Sequence, residues 1–167
     1  ILYPTLFLTS EKIPYQKSIT ELIKSVITPF GEVDENASML LKHIRRDINN
    51  VRAKIGASFT RALSKYHNAG YLDDIKESVI ENQRVLAVQA MYRRKVKGSL
   101  LGSSKTGSIV YIAPEATLQH SRELQNLLFD EHEEIVRILK QLTSDIRIYI
   151  SELEEYQWYL TNLDMIA

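Results

Sequence analysis

Cysteine is absent from all 167 positions of the chain. This absence excludes disulfide bonds, thiolate metal sites and cysteine nucleophiles, and it favours a cytoplasmic setting. Long apolar runs are also lacking, because residues 1–8 are apolar but too short to span a bilayer and are interrupted by Pro4. The start has neither the basic region nor the small-residue cleavage site of a signal peptide. We therefore expect no membrane contact.

Without an initial Met or a final helix cap, the sequence is expected to be an internal piece of a larger protein.

Acidic residues are missing from one stretch of the chain. Residues 1–81 hold 11 Lys/Arg and 10 Asp/Glu, residues 82–114 hold 6 and 0, and residues 115–167 hold 4 and 11, so a formal net charge of zero conceals +1, +6 and −7. A neutral chain with one basic region indicates a local anionic partner. The candidate nucleic-acid contacts are the six cations of that stretch: Arg84, Arg93, Arg94, Lys95, Lys97 and Lys105.

Two readings of these six cations stay open. Phosphate contacts to DNA or rRNA, with Tyr92 and Tyr111 available for stacking, fit six positive charges without a negative one. Alternatively, the charges protect a sheet edge from aggregation, or they pair with the acidic C-terminal helix.

The remainder of the chain is dominated by helical patterns. Ser18-Ile19-Thr20-Glu21 is a capping-box pattern that predicts a short helix, which the turn at 28–31 ends. A long helix is predicted over 34–69, capped by Asp34 or Asn36 and stopped by Gly70, and a second one from Glu115 to residue 163. Two consecutive four-residue steps, from Ile138 to Ile146, are a stutter that predicts a kink or break at 143–145.

The predicted fold is mainly α with a small antiparallel β insertion. At 1.5 Å per residue the long helices would measure about 54 and 73 Å, whereas a compact globule of this length is roughly 40 Å across. We therefore expect an elongated molecule with two long antiparallel arm helices and a β tip. The predicted segments are a helical base (1–33), a first arm (34–77), a β tip (78–114) and a second arm (115–167).

Strands are predicted within residues 78–113. Short β-branched runs at 79–80, 84–88, 99–101 and 108–112 are separated by turn candidates at 81–83 and 102–107. They indicate a small antiparallel sheet, from which Pro114 leads into the second arm helix.

Catalytic patterns fail on spacing. The stretch 102–107 resembles a phosphate-binding loop, but Ser99 and Ser104 stand where glycines are required and a strand follows instead of a helix. The run 130–134 around His132 lacks the second histidine of a zinc-binding helix, so a solvated acidic face is the better interpretation. Ser103 and Ser104 have no His or Asp partner at an interpretable spacing. We therefore expect no enzymatic activity, cofactor or metal in this chain.

Three stretches together resemble the type-two subfamily of bacterial MutS proteins. They are residues 31–38 leading to Ile44-Arg45-Arg46, the strand 84–88, and the segment 98–114 running into Asn126 and 131–139. The family has an acidic Asp-x-Ala-Ser helix start followed by Ile-Arg-Arg, and a Gly-rich segment that ends in Glu-Pro. This chain departs from the family pattern at three places. It has Leu101-Gly102 where the family usually has His-Asp, Ala113 where the family has the Glu of Glu-Pro, and Ala87-Val88-Gln89 where the family has Pro-Val-Lys. The chain thus resembles a divergent member.

The resemblance implies the lever and clamp region of a MutS-like ATPase. Lever helices would connect a small β clamp, which grips nucleic acid, to an ATPase that this chain does not contain. The parent protein would use ATP and Mg²⁺, form a homodimer, and in many members carry a small nuclease domain. Its implied target is branched or mismatched DNA, or the rRNA of stalled ribosomes. A structural coiled-coil adaptor that docks a protein partner is the alternative.

Overall fold

The computed structural model describes residues 13 and 15–166. Its helices are α1 (Lys17–Val26), α2 (Met39–Asn68), α3 (Glu115–Ile146) and α4 (Ile150–Ile166), and its strands are β1 (Leu72–Ile80), β2 (Gln83–Gln89), β3 (Gly98–Ser103) and β4 (Ile109–Pro114). Short 3₁₀ helices cover Glu35–Ala37, Ala90–Lys95 and Arg147–Tyr149. The chain is therefore mainly helical with one small antiparallel sheet, as predicted. The apolar start at 1–8 lies outside the described residues.

Two compact units divide the chain. One is continuous and runs from His43 to Glu131, and the other combines the described residues up to Lys42 with those from His132 onward. The first unit contains the whole sheet and is called the sheet unit below. The second is called the helical unit.

The helical unit ties its first helix to its last. The main-chain N–H of Gln16, which is the N-cap of α1, donates to the hydroxyl of Tyr156 on α4 at 2.7 Å. The predicted capping box at 18–21 is therefore wrong, because α1 starts earlier and its N-cap side chain forms no capping bond. The chain reversal predicted after α1 is confirmed by the bond from the N–H of Gly31 to the carbonyl of Thr28.

The start of α2 uses two caps in succession. The carboxylate of Asp34 accepts from the N–H of Asn36 and caps the 3₁₀ turn, while the hydroxyl of Ser38 accepts from the N–H of Leu41. The apolar stripe predicted for this helix is inside the protein, with Leu41, Ile44, Ile48, Val51, Phe59 and Tyr66 buried. Gly70, with φ of +71°, follows the helix at the predicted stop.

The sheet has the strand order β1-β2-β4-β3, with antiparallel neighbours throughout. Glu81 and Asn82 form a two-residue turn between β1 and β2, and both have positive φ, as a type I′ hairpin requires. The predicted start of the β region at residue 78 is wrong, since β1 begins at Leu72. Its charged residues and the bulge at Lys76 hide the strand's alternation.

A core joins α2 to one face of the sheet. Phe59, Ala62 and Tyr66 of α2 pack with residues of three strands and with one residue of the β2–β3 connection: Leu72, Leu86, Val88, Val96, Val110 and Ile112. Burial of this apolar surface fixes the helix on the sheet.

The second long helical segment starts at Glu115, as predicted, and is interrupted once. α3 ends at Ile146, a 3₁₀ turn covers Arg147–Tyr149, and α4 continues from Ile150. The irregularity thus falls just after the predicted stretch 143–145. The shape and antiparallel packing of the two arm helices stay predictions.

Candidate nucleic-acid interface

Four of the predicted contact residues lie on the connection between β2 and β3. This connection, residues 90–97, is called the crossover here because it links two strands that lie on opposite sides of β4. Arg93, Arg94, Lys95 and Lys97 are all exposed on it, whereas Val96 between them is buried in the core. Among the described residues, no carboxylate forms an ion pair with any of the four. The crossover therefore presents uncompensated positive charge to solvent.

The backbone of the crossover is held in place at several points. The N–H of Ala90 donates to the carbonyl of Ser108 at 2.9 Å. The ring of Tyr92 stacks on that of Tyr71, with 4.8 Å between their centroids. The N–H of Lys97 donates to the hydroxyl of Tyr66 at 3.2 Å, and its carbonyl accepts from the N–H of Glu115 at 3.1 Å. The cations thus stand on a fixed backbone, which lowers the entropic cost of contacting a ligand.

Lys105 lies in the loop between β3 and β4 and is exposed. The hydroxyls of Ser104, Thr106 and Ser108 form a hydrogen-bonded chain in this loop, at 3.3 and 2.8 Å. Since Ser108 also binds the main chain of Ala90, the structure brings the loop beside the start of the crossover. β4 follows the loop, so this stretch does not have the strand-to-helix form of a phosphate-binding loop.

Arg84 differs from the other five predicted residues. Its guanidinium donates to the carboxylate of Glu77 at 2.6 Å and lies 4.2 Å from the centroid of the Phe59 ring. Both interactions use the charge to hold β1, β2 and α2 together. The prediction that Arg84 contacts nucleic acid is not tested by this arrangement, but its charge is already compensated.

The charge of the whole sheet region is smaller than the sequence segment suggested. β1 and its turn carry Asp73, Asp74, Glu77 and Glu81 together with Lys76, so residues 72–114 hold 7 cations and 4 anions, a net charge of 7 − 4 = +3. These acids lie on β1, an edge strand, and its turn, whereas the four exposed cations lie on the crossover. The positive charge is therefore local.

The acidic run 130–134 is only partly a solvated face, which corrects the sequence interpretation. Glu131 pairs with Arg45 at 2.8 Å. Glu134 is buried and accepts from the hydroxyl of Ser38 at 2.5 Å and from two guanidinium nitrogens of Arg137 at 2.7 Å. The hydrogen bonds from Arg137 and Ser38 outweigh burial and lower the pKa of Glu134 to about 2.

The ion pairs also bear on the reading in which the acidic C-terminal helix neutralises the basic stretch. In the described part of the chain, the acids of α3 that form ion pairs do so with Arg45, His120 and Arg137. Within the described residues, Arg84 alone of the six predicted contact residues is paired, and its partner Glu77 lies on β1. Solvated charge remains the alternative to phosphate contacts.

Two cations that the sequence reasoning left out lie beside the crossover. Arg61 and Lys65, one helical turn apart on α2, line a surface depression together with Lys97. Their sequence positions lie outside the basic stretch, in a segment with nearly balanced charge, so composition gave no sign of them. The helical spacing i, i+4 together with the end of α2 near the sheet was the available signal.

Neither a metal-binding cluster nor a membrane-spanning helix is found among the described residues. No group of three or more His, Asp or Glu side chains there is placed to hold a metal ion. No helix within residues 15–166 is long and apolar enough to cross a membrane.

Comparison with known proteins places the chain among MutS relatives. No family model matches it. Curated relatives named endonuclease MutS2 do: one from Streptococcus equi subsp. equi is 35% identical over 140 residues, one from Clostridioides difficile 30% over 162, and one from Lactococcus lactis subsp. lactis 26% over 163. These alignments cover 84%, 97% and 98% of this chain.

The resemblance to the MutS family is thereby confirmed. More narrowly, the chain is a MutS2-like sequence, and it spans only about a fifth of its relatives' length: 18%, 20% and 21% of the three proteins.

Proposed function

We propose that this chain is the lever and clamp segment of a MutS2-like protein and that its sheet unit binds the backbone of nucleic acid. The observation that carries the proposal is the crossover, where Arg93, Arg94, Lys95 and Lys97 stand exposed on a fixed backbone without an acidic partner among the described residues. Cations without local partners are what phosphate contacts require. The name endonuclease, carried by the relatives, is consistent with a nucleic-acid ligand.

The long helices of this chain would relay the state of an ATPase that lies outside it. That ATPase would bind ATP and Mg²⁺ in a homodimeric parent protein, in which a nuclease domain would also act. The chain itself would bind without catalysing a reaction. Branched or mismatched DNA is the first target to test, with structured rRNA as the second.

A quadruple substitution of the crossover tests the proposal. Changing Arg93, Arg94, Lys95 and Lys97 to Ala should weaken binding to fluorescent duplex and branched DNA. The slope of log affinity against log salt should fall by up to about 0.9 for each lost contact. The loss should be similar for unrelated sequences, because phosphate contacts position a protein without reading bases. Fluorescence anisotropy at four salt concentrations measures both quantities.

A matched control removes the same number of charges elsewhere. Lys54, Arg122, Lys140 and Arg147 are exposed and form no ion pair with a described residue. Changing these four to Ala should leave the affinity much nearer to that of the parent chain. Equal losses in the two variants would reduce the effect to net charge and contradict a specific interface. Repeating the titration with duplex RNA shows which nucleic acid is preferred.

One observation favours the adaptor as a second candidate. α4 exposes large apolar side chains, including Trp158, Leu160 and Met165, and exposed apolar patches mark protein contacts. An adaptor would keep its affinity and salt slope for DNA after the quadruple substitution, and would lose partner binding when Trp158 and Leu160 are changed to Ser.

A further inference from the structure

The crossover borders a basic depression of about 390 Å³ in the sheet unit. Three of its lining residues are cations, and they come from two elements: Arg61 and Lys65 from α2, and Lys97 from the crossover. One carboxylate, that of Glu115, also lines it. The formal charge of the depression is therefore 3 − 1 = +2.

Each of the three cations is positioned without being neutralised. The guanidinium of Arg61 donates to the carbonyl of Ala57 at 3.3 Å and to the hydroxyl of Ser58 at 3.4 Å. The ammonium of Lys65 lies 5.2 Å from the centroid of the Tyr66 ring. No carboxylate in the described part of the chain forms an ion pair with either residue or with Lys97. Neutral partners orient the side chains of Arg61 and Lys65 and leave their charge available, while Lys97 is held by its main chain.

Lys97 belongs to this depression and to the crossover at once. Its main chain is bonded to Tyr66 on one side and to Glu115 on the other, so the backbone position of this cation is fixed between α2 and α3. An anionic polymer that contacts Arg93 to Lys95 would reach the depression through Lys97, because consecutive phosphates on one nucleic-acid strand are only several ångströms apart. Lys97 is thus the residue that the two basic surfaces share.

We propose that Arg61, Lys65 and Lys97 form a phosphate-binding subsite that extends the nucleic-acid interface from the crossover onto α2. The ligand is a phosphodiester of the bound backbone. This inference rests on the function proposed above, and it adds two residues of α2 to the interface. It makes the end of α2 a contact element as well as a support for the sheet.

The test compares three variants of the 167-residue chain in the same anisotropy titrations with duplex DNA. The first changes Arg61 and Lys65 to Ala, and the second changes Arg93, Arg94 and Lys95 to Ala. The third is the matched control, in which Lys54 and Arg122, exposed cations of α2 and α3, become Ala. The first variant should lower the slope of log affinity against log salt by about 1 to 2, because each lost phosphate contact lowers it by up to about 0.9. The control should leave the slope unchanged.

The outcomes separate the two proposals. If only the crossover variant lowers the slope, the subsite is overturned while nucleic-acid binding stands. If neither does, both proposals fail. If the first variant and the control lose equally, the effect is bulk charge and the subsite is again overturned. Melting curves by circular dichroism establish that each variant is folded.

Two further measurements sharpen the result. Glu115→Gln removes the carboxylate that lines the depression among the described residues. This variant should therefore bind DNA more tightly than the parent chain, and unchanged or weaker binding contradicts the subsite. Inorganic phosphate is the second probe, compared with chloride at equal ionic strength. Phosphate that binds in the depression should lower the affinity for DNA more than chloride does. If the double substitution Arg61→Ala with Lys65→Ala abolishes this difference but leaves the DNA affinity itself unchanged, the depression is a free-anion site and the inference is overturned.

Discussion

Gly98 shows how tightly single residues constrain the sheet unit. A Cβ atom built at this position would lie 2.1 Å from the carbonyl oxygen of Ala113 and 2.8 Å from a side-chain carbon of Ile112. The contact with backbone cannot be relieved by a rotamer change, because Gly98 pairs directly with Pro114 in the β3–β4 ladder. The glycine that follows Lys97 is therefore required where the crossover enters β3.

Gly98→Ala should consequently destabilise the chain by more than about 2 kcal/mol, the range of severe core disruptions. Gly56→Ala is the matched control, since nothing lies within 4 Å of a Cβ there and the residue is inside α2. This second change should stabilise the chain by about 0.5–1 kcal/mol. Urea unfolding followed by circular dichroism measures both. Equal effects of the two substitutions would contradict the close approach at Gly98.

Glu134 links stability to acid at the residue scale. Its carboxyl has a pKa of about 2 in the folded chain against an ordinary value of 4.5, a difference worth about 3 kcal/mol. A depressed folded-state pKa stabilises the fold at pH values above 4.5 and ceases to do so as pH falls toward 2. Because Arg137 is largely exposed, solvent screening makes this figure an upper bound.

Glu134→Gln should therefore cost up to about 3 kcal/mol at pH 7 and much less at pH 2.5. Urea titrations at pH 7, 4.5 and 2.5 give the free energy of unfolding of both chains. The two pH profiles should converge below pH 4.5. Profiles that stay parallel down to pH 2.5 would show that the carboxylate does not carry this stabilisation.

At the scale of elements, the hairpin turn between β1 and β2 shows what local sequence determines. The turn candidate at 81–83 is confirmed, and Glu81 and Asn82 adopt φ of +47° and +62°. Glycine takes such angles without steric cost. Asn82→Gly should leave stability unchanged or raise it by a few tenths of a kcal/mol, whereas Asn82→Val should lower it by about 1–2 kcal/mol. Thermal unfolding of both variants checks this, and a tolerated valine would contradict the turn geometry.

Periodicity predicted α2 well because this helix buries most of its apolar stripe, whereas Leu128 of α3 and Leu160 of α4 are exposed. The positions from Leu41 to Tyr66 recur at steps of three or four, and their burial confirms the pattern. β1 could not be predicted in the same way. It is an edge strand with Asp73, Asp74 and Glu77 among its residues, and its bulge breaks the two-residue period. Caps were equally hard to predict, since tertiary contacts helped to decide them: Tyr156 at the start of α1 and Glu134 at Ser38.

The candidate site was predictable only where its residues are consecutive. The four crossover cations were found from charge composition alone, and the structure places them together on one exposed segment. Arg61 and Lys65 are about 30 positions away in the sequence, so only the packing of α2 against the sheet brings them beside Lys97. The pairing of Arg84 with Glu77 was also missed, because only residues 79–80 of β1 were predicted as a strand and Glu77 lies before them.

For the whole molecule, we expect the chain to hydrolyse neither ATP nor DNA by itself. Ser99 and Ser104 stand where a phosphate-binding loop requires glycines, and the loop at 104–108 leads into a strand instead of a helix. Malachite-green phosphate release and plasmid nicking, each compared with a Lys105→Ala variant, measure these activities. Turnover that disappears in that variant would contradict a purely binding role.

The single tryptophan gives the molecule a built-in optical reporter. Trp158 lies on α4 with 62% of its surface exposed, so its emission should be red-shifted and readily quenched by iodide in the native chain. Unfolding will change this signal little, and melting curves should not rely on it. Any event that covers α4, by contrast, will shift the emission to shorter wavelength and protect the indole from quencher. Occupation of that helix can therefore be followed in solution without adding a label.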